Sequence, residues 1–313
     1  MSAAHNPVAG ALCLFLAAAI WGGMYVVSKV VLDHIPPMTL LAMRLAIGAA
    51  VLLVGMRLSG APRVRRSDWL GLALLGLVGY GVSLGAQFIG TQWSSAGHGA
   101  VLTSITPACI LVFAALLRGE RITRAQVLAV GIATAGVLLV VEQPQGFTLE
   151  ARAFWGDLLL LLAGGTWALY TVLCRMAADR YPPITVTTYA MCFGIFWVLP
   201  ATPLEGSVAW RSLGAGLWWG IGYLGVVSTA VAFYLWNKGF TMLDAATGSL
   251  FFFAQPIVGA LLGWLWLGEP LSARFVLGTA VVIAGGILAT RRRAPERVRS
   301  SAAAKPPRGT ANG

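Results

Sequence analysis

Charge is what this 313-residue chain has least of. Only 11% of it is Asp, Glu, Lys or Arg, against about 25% in soluble domains. So little charge excludes an ordinary water-facing surface. Acids are scarcer than bases, 11 against 22. The acids are dispersed and only three histidines exist (His5, His34, His98), so nothing in the sequence resembles a catalytic constellation. Four cysteines, Cys13, Cys109, Cys174 and Cys192, are scattered through apolar runs with neither metal spacing nor a disulfide framework. They read as small apolar packing residues. No metal and no cofactor is expected. The first apolar run lacks a basic leader and does not stop at signal-peptide length, so it reads as a first membrane span. The net charge of +11 raises the question of nucleic acid. The bases lie in short joints and a tail rather than on one folded face, so no nucleic-acid partner is expected.

What the chain has in abundance is long apolar sequence, 58% of all residues. Runs of about 20 such residues are long enough to cross a bilayer as helices. Ten spans are expected, at roughly 8–32, 38–57, 69–91, 96–117, 124–142, 155–176, 184–203, 213–236, 245–267 and 272–290. The joints carry turn residues, as in His34-Ile-Pro-Pro37, Ser59-Gly-Ala-Pro62, Gln143-Pro-Gln-Gly146, Tyr181-Pro-Pro183 and Gly268-Glu-Pro270. The expected fold class is an all-α membrane protein. Lys and Arg then set its orientation. Alternate joints and the tail hold 17 of the 22, including Arg57, Arg63, Arg118, Arg121, Arg175, Arg180 and Lys238. The opposite joints hold only Arg152, Arg211 and Arg274. This bias puts both termini in the cytoplasm and agrees with an even number of spans.

The chain repeats itself. Gly99 to Glu120 (GAVLTSITPACILVFAALLRGE) returns as Gly248 to Glu269 (GSLFFFAQPIVGALLGWLWLGE). Pro107 and Pro256 stand in the middle of these copies, and each frees the carbonyl four residues earlier, at Thr103 and Phe252. A broken helix persists in lipid only where protein or a wet cavity satisfies the exposed backbone. At an offset of 146, Trp21 matches Trp167, Asp33 matches Asp179, and Pro36-Pro37 matches Pro182-Pro183. At an offset of 149, Gly90 matches Gly239 and Gly136 matches Gly285. Five spans per half is an odd number, so the second half enters the membrane inverted, the plan of secondary transporters.

Several motifs lie in order. The first half reads Trp21-Gly-Gly-Met-Tyr25, Lys29, Pro36-Pro37, Arg44, Pro107, Gly119-Glu120-Arg-Ile-Thr123, Gly131 and Gly136. The second reads Ser249, Gln255-Pro256, Gly268-Glu-Pro-Leu-Ser272, Gly278 and Gly285-Gly286. Over about residues 10 to 290 this resembles the EamA branch of the drug/metabolite transporter superfamily. The resemblance implies ten transmembrane helices as two inverted five-helix repeats in a bacterial cytoplasmic membrane, and a carrier that usually exports amino acids or other small metabolites. The expected organisation is a cytoplasmic N-terminus (1–7), a first repeat (8–142), an outer linker (143–154), a second repeat (155–290) and a basic disordered cytoplasmic tail (291–313). The partners are a small-molecule substrate and the lipid bilayer. Proton or solute counter-transport, direction and oligomeric state stay open. A drug carrier of the same fold and a membrane-embedded enzyme are the alternatives.

Candidate site residues follow from helical faces. Trp21, Tyr25 and Ser28 share one face, as do Trp167, Thr171 and Cys174, with Tyr170 beside them. The stripes read either as helix packing or as an aromatic wall for a small organic solute. Thr103 and Thr106 precede Pro107, and Phe252 and Gln255 precede Pro256. Tyr80, Ser83 and Gln87 share a face of span 3. Glutamine in hydrocarbon must find a partner, so Gln87 and Gln255 are expected on a cavity wall. Arg44 lies near mid-depth of span 2, where a charge is costly. It either snorkels outward or receives an anionic group of the substrate. Its repeat position is Ala190. Lys29 with Asp33, and Arg175 with Asp179, are expected to pair along their helices. Glu120 and Glu269 are expected to bond N–H groups in the following joints. His98 is a minor candidate for titration. Pro107 and Pro256 are hinge candidates for alternating access.

Overall fold

The computed structural model describes residues 6–93, 102–103, 105–140, 151–267 and 273–291. Expectations for His98, Glu269, the 143–150 linker and the tail beyond Arg291 lie outside the described residues. Among the described residues the chain is all helical, with no strand.

The helices are α1 (Pro7–Leu32), α2 (Pro37–Leu58), α3 (Arg66–Trp93), α4 (Thr106–Arg118), α5 (Arg124–Val140) and α6 (Ala151–Ala177). They continue with α7 (Pro183–Glu205), α8 (Ala215–Phe240) and α10 (Ala273–Arg291). Between these last two, α9 runs as Ala245–Ser249, a tight 3-10 stretch Leu250–Phe253, and Ala254–Leu267. Six of them, α1, α2, α3, α6, α7 and α8, contain segments long and apolar enough to cross a membrane. This is a multi-pass membrane protein.

Local chemistry sets the helix ends. Asn6 caps α1, accepting from the Ala9 N–H at 3.1 Å. Pro37 and Pro183 open α2 and α7, where a missing N–H costs nothing. Neither helix has a side-chain cap of its own, and α2 takes one from far away. Glu205, at the end of α7, accepts from the N–H groups of Met38 (2.7 Å) and Thr39 (2.8 Å). Its carboxylate also faces the positive end of the α2 dipole. Gly119 ends α4 in the left-handed conformation (φ 63°), with the Glu120 N–H returned to the Ala114 carbonyl.

Two interruptions occur at matching places. A π-helical stretch covers Leu77–Leu84 in α3 and another covers Val226–Val231 in α8. Leu77 and Val226 are 149 residues apart. A π turn widens the helix, rotates the following side chains to a new face and exposes carbonyls. Both prolines stand just after a local irregularity. A turn at Ile105 precedes Thr106 and Pro107, and the 3-10 stretch precedes Pro256.

Helix contacts also come in exchanged pairs. α1 packs on α9 as α6 packs on α4, and α1 packs on α8 as α6 packs on α3. α2 meets α7, α5 meets α10, and α3 meets α7 as α8 meets α2. Close glycine approaches obey the same exchange. A methyl group on Gly90 would stand 2.9 Å from the Gly156 carbonyl and from Leu160, and one on Gly239 would stand 2.5 Å from Leu14 and 3.0 Å from the Gly10 carbonyl. Gly48 faces Thr229 as Gly194 faces Tyr80, and Gly136 faces Gly278 and Val282 as Gly285 faces Ala129 and Ala133.

Candidate functional site

A cavity of about 40 Å³ lies where α1, α2, α3, α6, α8 and α9 converge on the approach to α4. That is room for a few water molecules. Trp21, Met24, Arg44, Ser83, Leu84, Gln87, Thr103, Thr106, Ala163, Gly164, Trp167, Phe233, Phe252 and Gln255 line it. Four pairs of these are repeat mates: Trp21 with Trp167, Leu84 with Phe233, Thr103 with Phe252, and Thr106 with Gln255. Both halves therefore build the wall at corresponding positions.

Four aromatic side chains line it, Trp21, Trp167, Phe233 and Phe252. Trp21, Trp167 and Phe233 make a triangle with every centroid separation 5.4 Å, and the two indoles meet edge to face. From Trp21 the rings continue through Trp236 (5.2 Å) to Phe240 (4.9 Å), at the end of α8. The polar side is held by backbone. Ser83 donates to the Ala163 carbonyl at 2.9 Å, and Thr106 donates to the Gly164 carbonyl at 3.1 Å.

Arg44 does not snorkel. It is 1% exposed, and it lines the cavity. Its Nε donates to Thr229 Oγ1 at 2.9 Å, and Nη2 contacts Met24 Sδ at 3.2 Å and Ser228 Oγ at 3.4 Å. The guanidinium also lies 5.5 Å from the Phe88 ring centre. Ser228 and Thr229 belong to the π stretch of α8, and their hydroxyls donate to the Leu224 carbonyl. The same stretch receives Trp21, whose Nε1 donates to the Ser228 carbonyl at 3.0 Å. One irregular turn thus orients both the cation and an indole.

Tyr80 and Tyr170 sit behind the wall rather than on it. They are fully buried, and their hydroxyls lie 2.6 Å apart. Asn237 donates to Tyr170 Oη at 3.0 Å and to Thr187 Oγ1 at 2.9 Å. Tyr25 lies in α1, with its side chain outside the described residues. Pro107 is buried and lies next to the lining residue Thr106, while the Pro256 side chain is not described. Met24, Leu84 and Phe233 line the cavity without having been expected there. For Leu84 and Phe233 the signal was obscured, because a π turn breaks the 3.6-residue count.

At the end of the bundle shared by the 58–66, 118–124, 177–183 and 240–245 joints, ions tie the joints together. Glu120 pairs with Arg175 and Arg118 (3.5 Å to the latter) and accepts from the Ala245 N–H at 3.4 Å. Arg118 bonds Asp179 at 2.9 Å. The expected pairing of Arg175 with Asp179 along α6 is thus replaced by partners on the α4–α5 joint. Geometry explains it, since Arg175 is only 17% exposed and faces the neighbouring helix rather than solvent. Glu120 likewise reaches across to α9 instead of capping its own joint. Nearby, Tyr181 donates to Asp68 at 2.5 Å. Among the described residues no group of acids, histidines and cysteines could hold a metal ion.

An apolar bundle around a small, mainly apolar cavity, walled by residues of both sequence repeats, is the architecture of a membrane carrier. The profile of the EamA-like transporter family matches residues 8–142 and again 154–291. The chain belongs to that family. It is similar to the uncharacterized transporter YyaM of Bacillus subtilis (26% identity over 86% of this chain and 89% of that protein). It is also similar to an uncharacterized transporter of Archaeoglobus fulgidus (29%, covering 90% and 99%). A third relative is a probable terminal-alkyne amino-acid exporter of Streptantibioticus cattleyicolor (28%, covering 92% and 95%). One solved crystal structure matches with a TM-score of 0.78 over 91% of this chain and 97% of the other. At 23% identity that likeness shows the fold alone.

Proposed function

We propose that this chain is a secondary transporter that moves a small organic metabolite, an amino acid or related compound, out of a bacterial cell by alternating access. The observation that carries the reading is the cavity itself, walled by repeat mates from both halves. Two inverted five-helix repeats account for this symmetry. The exchanged helix contacts and the exchanged glycine approaches both support that plan. The similarity to a named amino-acid exporter supports the substrate class and the direction.

A 40 Å³ cavity is too small for an amino acid, so the helices around it must part for substrate to enter. From Phe233, which lines the cavity, Trp236 and Phe240 follow along α8 toward the joint whose Ala245 N–H meets Glu120. The Lys and Arg bias supports assigning that end, together with both termini, to the cytoplasm. Opening then parts α4 and its joint from α6 and α9, with the irregular turns before Pro107 and Pro256 absorbing the motion. Trp21, Arg44, Gln87, Thr103, Thr106, Trp167 and Gln255 are the substrate-facing residues.

Counterflow in proteoliposomes tests the reading. Purified protein loaded with a millimolar amino-acid mixture should accumulate a labelled member of that mixture transiently. A channel gives no such overshoot. Absence of exchange across the amino acids and related metabolites would overturn the transport reading. Pro107→Ala with Pro256→Ala should lower flux while membrane levels hold.

A further inference from the structure

We infer that the groove between α3, α4 and α6 binds one anionic phospholipid, with its phosphate at the joints and its chains along the helices. The inference needs only the membrane placement of the bundle and stands apart from the transport reading.

The groove is sorted by polarity along its length. It holds about 820 Å³, against about 40 Å³ in the central cavity. On α3 its lining starts with Ser67 and Asp68 and is then apolar from Gly71 to Val78. On α6 the order is reversed, apolar from Leu173 to Ala177 and polar past the helix end, from Asp179 to Tyr181. α4 adds Leu117 and then, at its last residue, Arg118. Every polar lining side chain therefore lies at the joint end. From Ser67 to Val78 the trough runs about 16 Å at 1.5 Å per residue. That is roughly one leaflet of a 30 Å hydrocarbon core. Its floor is buried at Leu72 and Leu75, while Leu74 and Leu117 on its walls stay exposed. Gly71 leaves the trough open, since a methyl group there would meet nothing within 4 Å. A long apolar trough with a polar mouth fits an amphiphile. A free polar metabolite would leave the trough uncovered.

Charge selects the headgroup. Within the mouth, Arg118 bonds Asp179 at 2.9 Å and Arg180 lies 3.6 Å from Asp68, so the lining charges balance. The joints around the mouth do not balance. Residues 57–68, 118–124, 175–180 and 238–244 hold ten Lys and Arg against four acids, Asp68, Glu120, Asp179 and Asp244. Arg65 and Arg66 are exposed and lead directly into Ser67. The Arg180 side chain is 76% exposed. An excess of exposed bases beside an apolar trough attracts an anionic lipid, each base near the surface adding about fivefold in affinity. A zwitterionic headgroup gains no net attraction from that excess. A second copy of this chain is opposed, because a two-fold contact here would set the same basic joints against each other.

The test uses the full chain purified in detergent. Native mass spectrometry follows the first lipid bound, with dioleoyl phosphatidylglycerol, dioleoyl phosphatidylethanolamine and the chain-free headgroup glycerophosphoglycerol as probes. Phosphatidylglycerol should bind about tenfold more tightly than phosphatidylethanolamine, and the free headgroup should not bind. Gly71→Leu fills the trough and should weaken the first phosphatidylglycerol about tenfold. Leu74→Trp fills it from the wall and should do the same. Gly216→Leu, at another open position, should leave binding unchanged. Arg66→Gln with Arg180→Gln should remove most of the preference for phosphatidylglycerol. Melting in lipid-free detergent checks that each variant is folded; if Gly71→Leu is not, Leu74→Trp decides. Equal affinity for the two lipids, equal binding of the free headgroup, unchanged binding in a folded trough-filling variant, or a dimer that the trough-filling variants dissociate would each overturn the inference.

Discussion

Neutralising Glu120 should loosen one end of the bundle by a measurable amount. Its carboxylate joins Arg175, Arg118 and the Ala245 N–H, and so ties the α4–α5 joint to α6 and α9. The side chains are 26% exposed at Glu120, 17% at Arg175 and 23% at Arg118. Partial exposure holds each contact to about 0.5–1 kcal/mol. Glu120→Gln keeps the shape and weakens three contacts, so the closed arrangement should lose roughly 1–2 kcal/mol relative to an open one. That raises the open population about 5- to 30-fold. Ala114 reports it, being 1% exposed and beside Glu120 in the same recess. In a chain stripped of its four native cysteines, Ala114→Cys should react slowly with a membrane-impermeant maleimide. Adding Glu120→Gln should speed the reaction about 5- to 30-fold, provided opening is fast relative to labelling. Glu205→Gln, at the opposite end, serves as the control. If Glu120→Gln leaves the rate unchanged, or Glu205→Gln raises it equally, the cluster is not a latch.

Three further outcomes are expected. Gly76→Ala would bring a methyl group 2.4 Å from the Ala190 carbonyl, an overpacking worth about 1–3 kcal/mol, whereas Gly216→Ala meets nothing within 4 Å and should melt like the parent. Size-exclusion fluorescence after heating distinguishes them, and equal melting would refute the close α3–α7 approach. Tyr170→Phe removes the acceptor for Asn237 and the partner of Tyr80, a loss of about 1–3 kcal/mol. In a double-mutant cycle with Tyr80→Phe the effects should be non-additive; strict additivity would mean the two hydroxyls do not interact. Glu205→Ala strips α2 of its cap and should lower stability by about 1–2 kcal/mol, more than an alanine at exposed Leu204.

Much of the frame was legible because membrane helices advertise themselves one at a time. Long apolar runs, proline pairs and glycine landmarks need no tertiary knowledge, and Trp21 with Trp167 could be matched by offset alone. Side-chain partners were less legible, since they depend on which joint lies beside which. Arg175 and Asp179 are four residues apart in sequence, a spacing that invites a local pair on a continuing helix, but α6 ends at Ala177. Each instead bonds the end of α4 or the residue just past it, Asp179 to Arg118 and Arg175 to Glu120, because the bundle brings that end within reach.

The π turns mark the sharper limit. Counting at 3.6 residues places Tyr80, Ser83 and Gln87 on one face of α3. With Leu77–Leu84 in π geometry, Ser83, Leu84 and Gln87 reach the cavity while Tyr80 turns behind it. The matching turn in α8 carries Phe233 to the wall and offers Ser228 and Thr229 to Trp21 and Arg44. No single residue announces such a turn, because its cost is met by tertiary bonds from other helices. Repeat symmetry gives it away only after folding. The same widening occurs twice, 149 residues apart; in one copy Ser228 offers its carbonyl to Trp21, and in the other the Tyr170 ring packs against Gly79. A duplicated fold therefore supplies the cavity. The places where the copies disagree, Arg44 against Ala190 and Tyr170 against Met24, give the cavity its chemical sign.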